Sequence, residues 1–166
     1  MLLKPNLKLD KITDITFEML QKRGIKALIL DVDNTLSTHH GMKLCEGLED
    51  WLSLMKSKGV KLLILSNSTR KRVEPFAQKI GLDFIALGLK PLFIGYVRSL
   101  KRLRVNRKNT AIVGDQIFTD VLGGNFCGIT TILLTPIRPE TSLRFRFKRK
   151  LEKIVFKLYG IKTTKE

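Results

Sequence analysis

Apolar residues along this chain fall into short runs separated by longer segments of mixed polarity. Three of the runs, 27–30, 60–65 and 110–113, lack regular apolar–polar alternation, which is typical of strands buried on both faces of a parallel sheet. Shorter apolar runs at 84–86 and 131–134 predict two more strands. The pattern therefore predicts five strands.

Between the predicted strands, apolar residues recur at helical spacing. The periodicity predicts helices over 47–58, 69–80, 91–103 and from Phe118 to about Gly123. Residues 7–23 predict an amphipathic lead-in helix that starts near Thr13 and stops at Gly24. Strands and helices that alternate with short links form right-handed βαβ units. The predicted fold class is therefore α/β, with a doubly wound, mostly parallel, five-stranded sheet.

The bulk composition indicates a single globular domain. With 166 residues, 43% of them hydrophobic, the chain is large enough to bury a core. No apolar stretch approaches the ~20 residues of a membrane-spanning helix, and the apolar start is too short for a signal peptide. Cys45 and Cys127 are isolated thiols without CxxC spacing, as in proteins of the reducing cytosol. We expect a cytoplasmic protein.

The formal net charge of +16 is the most unusual compositional feature. Residues 138–166 alone carry ten Lys/Arg and three Asp/Glu, so we divide the domain into a core, 1–137, and a basic helical extension, 138–166. Such a charge attracts polyanions: nucleic acid, an anionic membrane or a phosphorylated substrate. The sign of the charge does not choose among these three.

Polar and charged side chains come directly after four of the predicted strands. They are Asp31 and Asp33, Ser66 and Asn67, Lys90, and Asp115. The carboxyl ends of parallel strands share one edge of an open α/β sheet, and ligands bind at that edge. We therefore expect these side chains to form one site.

Asp31 and Asp33 are separated by one residue at the end of the first strand. In extended backbone both carboxylates point the same way, so two negative charges share a small volume. The pair is costly unless a cation lies between the charges or one carboxyl stays protonated. Mg²⁺ fits, because it binds a few carboxylate oxygens and keeps positions for water and phosphate. From the pair alone, an alternative remains in which both residues only cap local turns.

The order of acid, acid, hydroxyl and cation matches the needs of phosphoryl transfer. An ionised Asp31 can attack phosphorus and form an aspartyl-phosphate. Asp33 can protonate the leaving alcohol and then deprotonate the attacking water. Ser66 and Lys90 can donate to the phosphoryl oxygens.

The remaining polar residues of the site complete a metal and substrate pocket. Asp115 completes the carboxylate set for Mg²⁺, and Asp120 is predicted to hold a metal-bound water or to orient Lys90. Thr35 and Asn67 are predicted to contact the substrate. The sequence therefore predicts a magnesium-dependent phosphomonoesterase.

These segments resemble the four motifs of the haloacid dehalogenase (HAD) phosphatase superfamily, in order and at suitable spacing. They are Asp31-Val32-Asp33-Asn34-Thr35, Ser66-Asn67, Lys90-Pro91 and Gly114-Asp115-Gln116-Ile117-Phe118-Thr119-Asp120. More narrowly, the chain resembles the YqeG family of HAD-IIIA phosphatases along most of its length. The resemblance implies a HAD-like Rossmannoid fold.

The resemblance also implies roles for individual residues. Asp31 would be the nucleophile and Asp33 the acid/base. Mg²⁺ would bind to Asp31, Asp115 and the backbone carbonyl of Asp33. Because the YqeG family resembles the mitochondrial enzymes that dephosphorylate phosphatidylglycerophosphate, the relation points to that lipid as substrate. A capless site and a basic tail that attracts anionic headgroups then predict a peripheral place on the inner face of the cell membrane.

The spacing between the motifs leaves no room for a cap domain. Residues 36–65 suffice for a loop, a helix and the next strand, and the residues from Asn67 to Lys90 hold one helix and one short strand. A HAD core without a cap has an open site, which suits a bulky or surface-bound substrate.

Three features of the sequence each allow two interpretations. The apolar stripe in the basic tail (Phe147, Leu151, Ile154, Val155 and Leu158) fits either an interfacial helix or a helix packed on the core, and we favour packing. The cations at 70–72 begin a helix, where positive charge is unfavourable, and fit either a phosphate contact or a solvated face, which we favour. His39 and His40 are assigned to the loop rather than to a metal site.

Two other functions fit part of the sequence. A phosphatase for nucleic-acid ends or soluble esters would use the same acids and the same basic charge. A non-enzymatic RNA-binding module would explain the charge, but it has no need of Asp31, Asp33 and Asp115 at its binding edge. Nothing in the sequence assigns an oligomeric state.

Overall fold

The central feature of the computed structural model is one sheet of six parallel strands, in the order β1-β6-β5-β2-β3-β4. The structure describes residues 1–38, 42–138 and 143–161, and the side chains of 143–149 are not described. The strands are β1 (Leu7–Leu9), β2 (Ala27–Leu30), β3 (Lys61–Leu65), β4 (Asp83–Ile85), β5 (Thr110–Gly114) and β6 (Thr130–Leu134).

Helices connect the strands, as the periodicity predicts. They are α1 (Phe17–Lys22), α2 (Leu48–Ser57), α3 (Arg70–Lys79), α4 (Phe93–Leu103), α5 (Leu122–Phe126) and α6 (Leu143–Tyr159). A π-helical turn at Ile117–Val121 runs directly into α5, and short 3₁₀ turns occupy Ile12–Asp14 and Arg107–Asn109. In the described part of the chain, no helix has the length and apolar character needed to cross a membrane.

Two predictions are wrong because of residues 7–23: this segment is not one helix, and the sheet has six strands instead of five. Leu7–Leu9 is a sixth strand, which pairs in parallel with β6, and only Phe17–Lys22 is α-helical. The residues 7–9 alternate apolar and polar, which fits an edge strand, and their backbone groups gain partners on β6. The helix begins later because the Thr16 hydroxyl accepts a hydrogen bond from the Met19 N–H and caps it there.

The core lies on both faces of the sheet. Leu28 and Leu30 of β2 pack with α2 and α3 on one face, whereas Ala27 and Ile29 pack with α4 on the other. All four are fully buried. This double burial explains why the central strands show no apolar–polar alternation.

The strand order brings the predicted site residues together. β2 lies between β5 and β3, and Leu30 is level with Val113 on one side and Ile64 on the other. Asp31 and Asp115 therefore leave the sheet at nearly the same level, at the point where the strand order changes direction. Such switch points are where open α/β sheets bind ligands.

No domain-sized insertion lies over this edge in the described residues. The chain between β2 and β3 contains a turn and α2, and the chain between β3 and β4 contains α3.

Candidate active site

A tight turn directs the two acids after β2. The Asp31 N–H extends the sheet ladder by donating to the Val113 carbonyl at 2.9 Å. The N–H groups of Thr35, Leu36 and Ser37 then converge on the Val32 carbonyl at 3.0 to 3.2 Å. The acids differ in exposure: Asp31 is buried, and Asp33 is half-buried.

Lys90 is held against Asp31 by the loop after β4. Asn67 fixes this loop through its side chain, which accepts from the Lys90 N–H at 2.7 Å and donates to the Lys90 carbonyl at 3.0 Å. The ammonium then lies 2.6 Å from Asp31 Oδ1 and 2.7 Å from Asp120 Oδ1. All three side chains are buried, so this is a desolvated cluster of one cation and two acids.

Asp120 reaches the cluster because Gly114 has no side chain. A Cβ on Gly114 would lie 2.2 Å from the Asp120 carboxyl carbon. The π-helical turn carries Asp120 back over the end of β5, where its Oδ2 accepts from the Gln116 N–H at 3.3 Å. This position brings Asp120 against the Lys90 ammonium, and its role, to hold a metal-bound water or to orient Lys90, stays a prediction.

The acids Asp31, Asp115 and Asp120 each offer a carboxylate oxygen, and these oxygens lie within 4.8 Å of one another. All three residues are buried. Carboxylate oxygens at such a spacing are the donors that a hard divalent cation prefers, and one Lys ammonium leaves an excess of negative charge among them. The residues present therefore fit a divalent metal ion.

Charge and burial oppose one another at the centre of the cluster. Burial raises the pKa of Asp31 to about 7, Lys90 opposes the rise, and Asp120 and Asp33 add to it. Burial alone would lower the pKa of Lys90, but Asp120 and Asp31 outweigh burial, so its pKa is raised and it stays a cation. The cluster thus keeps a fixed positive charge beside a carboxyl that ionises reluctantly without a metal.

Arg72 is the site residue that sequence reasoning underestimated. Its guanidinium donates to Asp33 Oδ1 at 2.5 Å and to the Ser68 hydroxyl at 3.1 Å. Arg70, by contrast, pairs with Glu74 on the exposed face of α3. The available signal was the unfavourable position of a cation in the first turn of a helix, which is tolerated where the cation contacts an acid outside the helix.

The other predicted residues lie at the same edge. Ser66 is buried, and its hydroxyl accepts from the Ser68 N–H at 3.1 Å. The Thr35 hydroxyl is buried and makes no hydrogen bond to the described residues. His39 and His40 lie outside the described residues.

The basic extension packs on the core through one face. Val155 joins a cluster with Ile117 and Leu133, and the buried Glu152 carboxylate accepts from the Ile117 N–H at 2.9 Å. The described part of the opposite face exposes both apolar and basic residues. They are Lys150, Leu151, Lys153, Ile154, Lys157 and Leu158. The packing interpretation agrees with the first face, while the second leaves an amphipathic surface in solvent.

A parallel Rossmannoid sheet with acids and a lysine at the ends of its strands defines the class of HAD phosphatases. The fold resembles a HAD family hydrolase from Deinococcus radiodurans solved with bound phosphate and sodium (TM-score 0.61, 16% identity, covering 76% of this chain and 88% of that one). At this identity the likeness establishes the fold.

The sequence comparisons identify the family. The model of the family described as mitochondrial PGP phosphatase matches residues 1–138, and the chain belongs to this family. It is 34% identical over 149 residues to the probable phosphatase YqeG of Bacillus subtilis, covering 90% of this chain and 87% of that protein. The chain is thus a HAD-family phosphatase, related to phosphatidylglycerophosphatases.

A more distant relative carries an organellar name. Phosphatidylglycerophosphate phosphatase 1, chloroplastic/mitochondrial, of Arabidopsis thaliana is 24% identical over 163 residues. The match covers 92% of this chain but only 47% of the plant protein.

Proposed function

We propose that this protein is a magnesium-dependent phosphatase that converts phosphatidylglycerophosphate to phosphatidylglycerol through an aspartyl-phosphate on Asp31. The observation that carries the reaction is the buried contact of the Lys90 ammonium with Asp31 and Asp120. A fixed cation beside a carboxylate can stabilise the charge that a phosphoryl group brings next to that carboxylate.

In the first step, an Asp31 oxygen attacks phosphorus while the bond from phosphorus to the glycerol oxygen breaks. Asp33 gives its proton to the departing oxygen, which leaves as the alcohol of phosphatidylglycerol. Asp33 is suited to this role because it is less buried than Asp31 and so can exchange protons with solvent. Its contact with Arg72 fixes the direction of its carboxyl.

In the second step, water attacks the phosphorus of the aspartyl-phosphate. Asp33 takes a proton from that water, the bond between phosphorus and Asp31 breaks, and orthophosphate leaves. Lys90 and the Ser66 hydroxyl donate to the phosphoryl oxygens in both steps, and Thr35 and Asn67 contact the substrate around them.

The metal completes the electrostatics of this site. Asp31, Asp115 and the backbone carbonyl of Asp33 would hold Mg²⁺, with Asp120 beside them. When bound, the ion supplies positive charge that offsets the excess of carboxylates and the charge of the phosphate. We expect exhaustive chelation to abolish turnover and added Mg²⁺ to restore it.

The lipid assignment rests on relatives and charge. The family description and the Arabidopsis relative both name this class of phosphatase. The net charge of +16 would also attract the protein to an anionic membrane, where each Lys or Arg near the surface adds ~1 kcal/mol of attraction. We accordingly propose a peripheral protein that works on the membrane surface.

The experiment compares phosphate release from phosphatidylglycerophosphate in anionic vesicles with release from sugar phosphates and from short 5′-phosphorylated oligonucleotides. We expect the lipid to be the best substrate and its hydrolysis to slow as salt rises, because screening weakens attraction to the vesicle. Faster turnover of a soluble ester at every salt concentration would overturn the lipid assignment. The oligonucleotide as best substrate would favour a nucleic-acid-end phosphatase.

Replacement of the nucleophile tests the reaction independently of the substrate. We expect Asp31→Asn to lower turnover of an aryl phosphate by at least about a thousandfold, because the amide is not a nucleophile at phosphorus. An unchanged thermal unfolding transition would show that the fold survives. Wild-type turnover by this variant would contradict the mechanism.

A further inference from the structure

The loop that carries Lys90 displays a cluster of apolar side chains to solvent. Five residues between 87 and 94 are 42% to 56% exposed, although most large apolar residues of the described chain are buried. They are Leu87, Leu89, Leu92, Phe93 and Ile94, which we call the 87–94 surface. Contiguous apolar surface of this kind marks a site of contact with a partner or a membrane.

A fixed backbone holds the 87–94 surface in place. The Leu87 N–H donates to the Ser68 carbonyl at 2.9 Å, and the Gly88 N–H donates to the Ser66 carbonyl at 2.8 Å. A Cβ on Gly95 would lie 2.2 Å from the Gly88 carbonyl oxygen, so α4 packs directly on the loop. The apolar side chains are therefore presented by a braced segment.

Two residues of this surface have backbone angles that their side chains disfavour. Leu87 and Leu89 have φ values of 49° and 55°, in the left-handed region that bulky residues rarely adopt. Such conformations persist where the surrounding structure enforces them, and they concentrate at functional segments. Here they turn two leucines outward on either side of Gly88, at a cost in both strain and hydrophobic burial.

The charge around the surface selects an anionic partner. Residues 84–100, which include the loop and the first two turns of α4, contain Lys90 and Arg98 and no Asp/Glu. Lys71 and Arg98 are exposed near the loop, on the first turn of α3 and one turn beyond Ile94 on α4. A second copy of the chain would bring another charge of +16 against this face, whereas an anionic bilayer offers opposite charge at its headgroups and an apolar interior behind them.

We propose that the 87–94 surface docks on an anionic lipid bilayer, with its apolar side chains in the upper acyl region and Lys71 and Arg98 among the headgroups. Docking in this orientation sets Lys90 at the membrane boundary, since Lys90 lies between Leu89 and Pro91 in the same loop. The active site then meets a headgroup phosphate without removing the lipid from the bilayer. The proposal rests on the proposed function only for the lipid that is hydrolysed there.

The test measures sedimentation of the full chain with vesicles of phosphatidylcholine containing phosphatidylglycerol. The docking variant is Leu92→Ser with Phe93→Ser, and the matched control is Leu54→Ser with Phe126→Ser. Leu54 and Phe126 are exposed as well, but they lie on α2 and at the end of α5, away from the loop. We expect at least tenfold weaker vesicle binding for the docking variant and wild-type binding for the control.

A soluble aryl phosphate separates docking from chemistry. Both double variants should hydrolyse it at the wild-type rate, because none of the four positions belongs to the active site. Equal vesicle binding by the wild type and both variants would overturn the proposal, as would absence of wild-type binding to the anionic vesicles. Self-association of the wild type that only the docking variant loses, without an effect on vesicle binding, would assign the surface to a second copy and also overturn it.

The outcomes also distinguish this proposal from the proposed function. If the docking variant alone loses vesicle binding and the wild type does not hydrolyse phosphatidylglycerophosphate, the docking surface stands and the substrate assignment falls. If wild type and docking variant hydrolyse that lipid equally in vesicles and bind them equally, the substrate assignment stands and the docking surface falls.

Discussion

The carboxyl edge of the sheet, where the strands end, and the amino edge, where they begin, carry charges of opposite sign. The charges are buried at the first edge and exposed at the second. At the carboxyl edge, two of three clustered buried acids contact one buried lysine. At the amino edge, a cavity of about 840 Å³ is lined by cations, and its described lining contains no Asp or Glu. These cations are Lys26, Lys58, Lys61, Lys101 and Arg104, and all of them are exposed.

From this difference we infer that desolvated charge, and not cavity size, marks the reactive edge of the sheet. The amino-edge cations stay hydrated, and Lys61 also donates to the Leu103 carbonyl at 2.9 Å, so their charges cost little. The acids at the carboxyl edge lose hydration, and Asp31 and Asp120 contact the Lys90 ammonium as a compensating cation. Changes at the carboxyl edge should therefore have large effects, and changes at the amino edge should have small ones.

The largest expected effect follows removal of the buried cation. Lys90→Met should lower turnover of an aryl phosphate by at least about a hundredfold, because one preorganised donor to the phosphoryl group is lost. The variant should also lose about 3–5 kcal/mol of unfolding free energy in the absence of metal, since Asp31 and Asp120 are left buried without their cation. Kinetic assays and urea unfolding measure the two effects.

Lys79→Met is the matched control, because the exposed Lys79 contacts only the Met42 carbonyl among its described hydrogen bonds. It should resemble the wild type in both assays. Wild-type turnover by Lys90→Met would contradict the expectation that loss of a charge at the carboxyl edge has a large effect on the reaction.

The second-largest effect is expected in the way that the unfolding free energy depends on pH. Because the folded pKa of Asp31 is raised from 3.8 to about 7, the metal-free native state keeps a proton that the unfolded chain has lost. This group therefore contributes a loss of stability as pH rises between those values, and the loss is complete above the folded pKa. The difference in unfolding free energy between wild type and Asp31→Asn isolates the contribution.

Mg²⁺ should reverse this pH effect. A cation beside Asp31 favours its ionised form, so the difference between wild type and Asp31→Asn should shrink or change sign in saturating Mg²⁺. A difference that is independent of both pH and Mg²⁺ would exclude metal binding next to this carboxylate.

A smaller effect is expected at Arg72, because its side chain and that of its partner Asp33 are only partly buried. Arg72→Gln should lower kcat by about tenfold, because Asp33 loses the contact that directs its proton transfer. Arg70→Gln is the matched control, because Arg70 contacts Glu74 on the exposed face of α3, and it should keep the wild-type kcat.

The smallest effect is expected at the amino edge. Lys101→Glu with Arg104→Glu reverses two charges of the cavity but leaves every contact of Asp31 and Lys90 intact. Hydrolysis of a soluble aryl phosphate should stay within about twofold of the wild type. The two exposed charges lie at the opposite edge of the sheet from Asp31, and salt screens their effect on it. A loss of tenfold or more would give the amino edge a role in the reaction.

The sequence predicted that Asp31, Lys90 and Asp115 lie together, because these residues follow strands with strong local patterns. β2 and β5 are continuous apolar runs, and Asp31 and Asp115 follow them directly. Once the strands are parallel and adjacent, the acids must meet at one edge. The presence of Lys90 in this cluster also agrees with prediction.

What sequence reasoning missed depends on contacts between distant segments. Strand β1 has only three residues, and its partner is more than 120 residues away in β6. The approach of Arg72 to Asp33 joins α3 to the turn after β2, and no local pattern encodes that distance. Residues 84–89 are a nearly continuous apolar run, which suggests burial, yet Leu87 and Leu89 are exposed because the backbone turns them outward.

The central claim is that Asp31, alone among the acids of the carboxyl edge, becomes phosphorylated during turnover. Borohydride reduces an acyl phosphate to the alcohol, so trapping during hydrolysis should convert Asp31 to homoserine. Peptide mass mapping should find homoserine at position 31 only when substrate and Mg²⁺ are both present. Homoserine at position 33 or 115 instead, or no trapped product at position 31 while substrate is being consumed, would contradict the account.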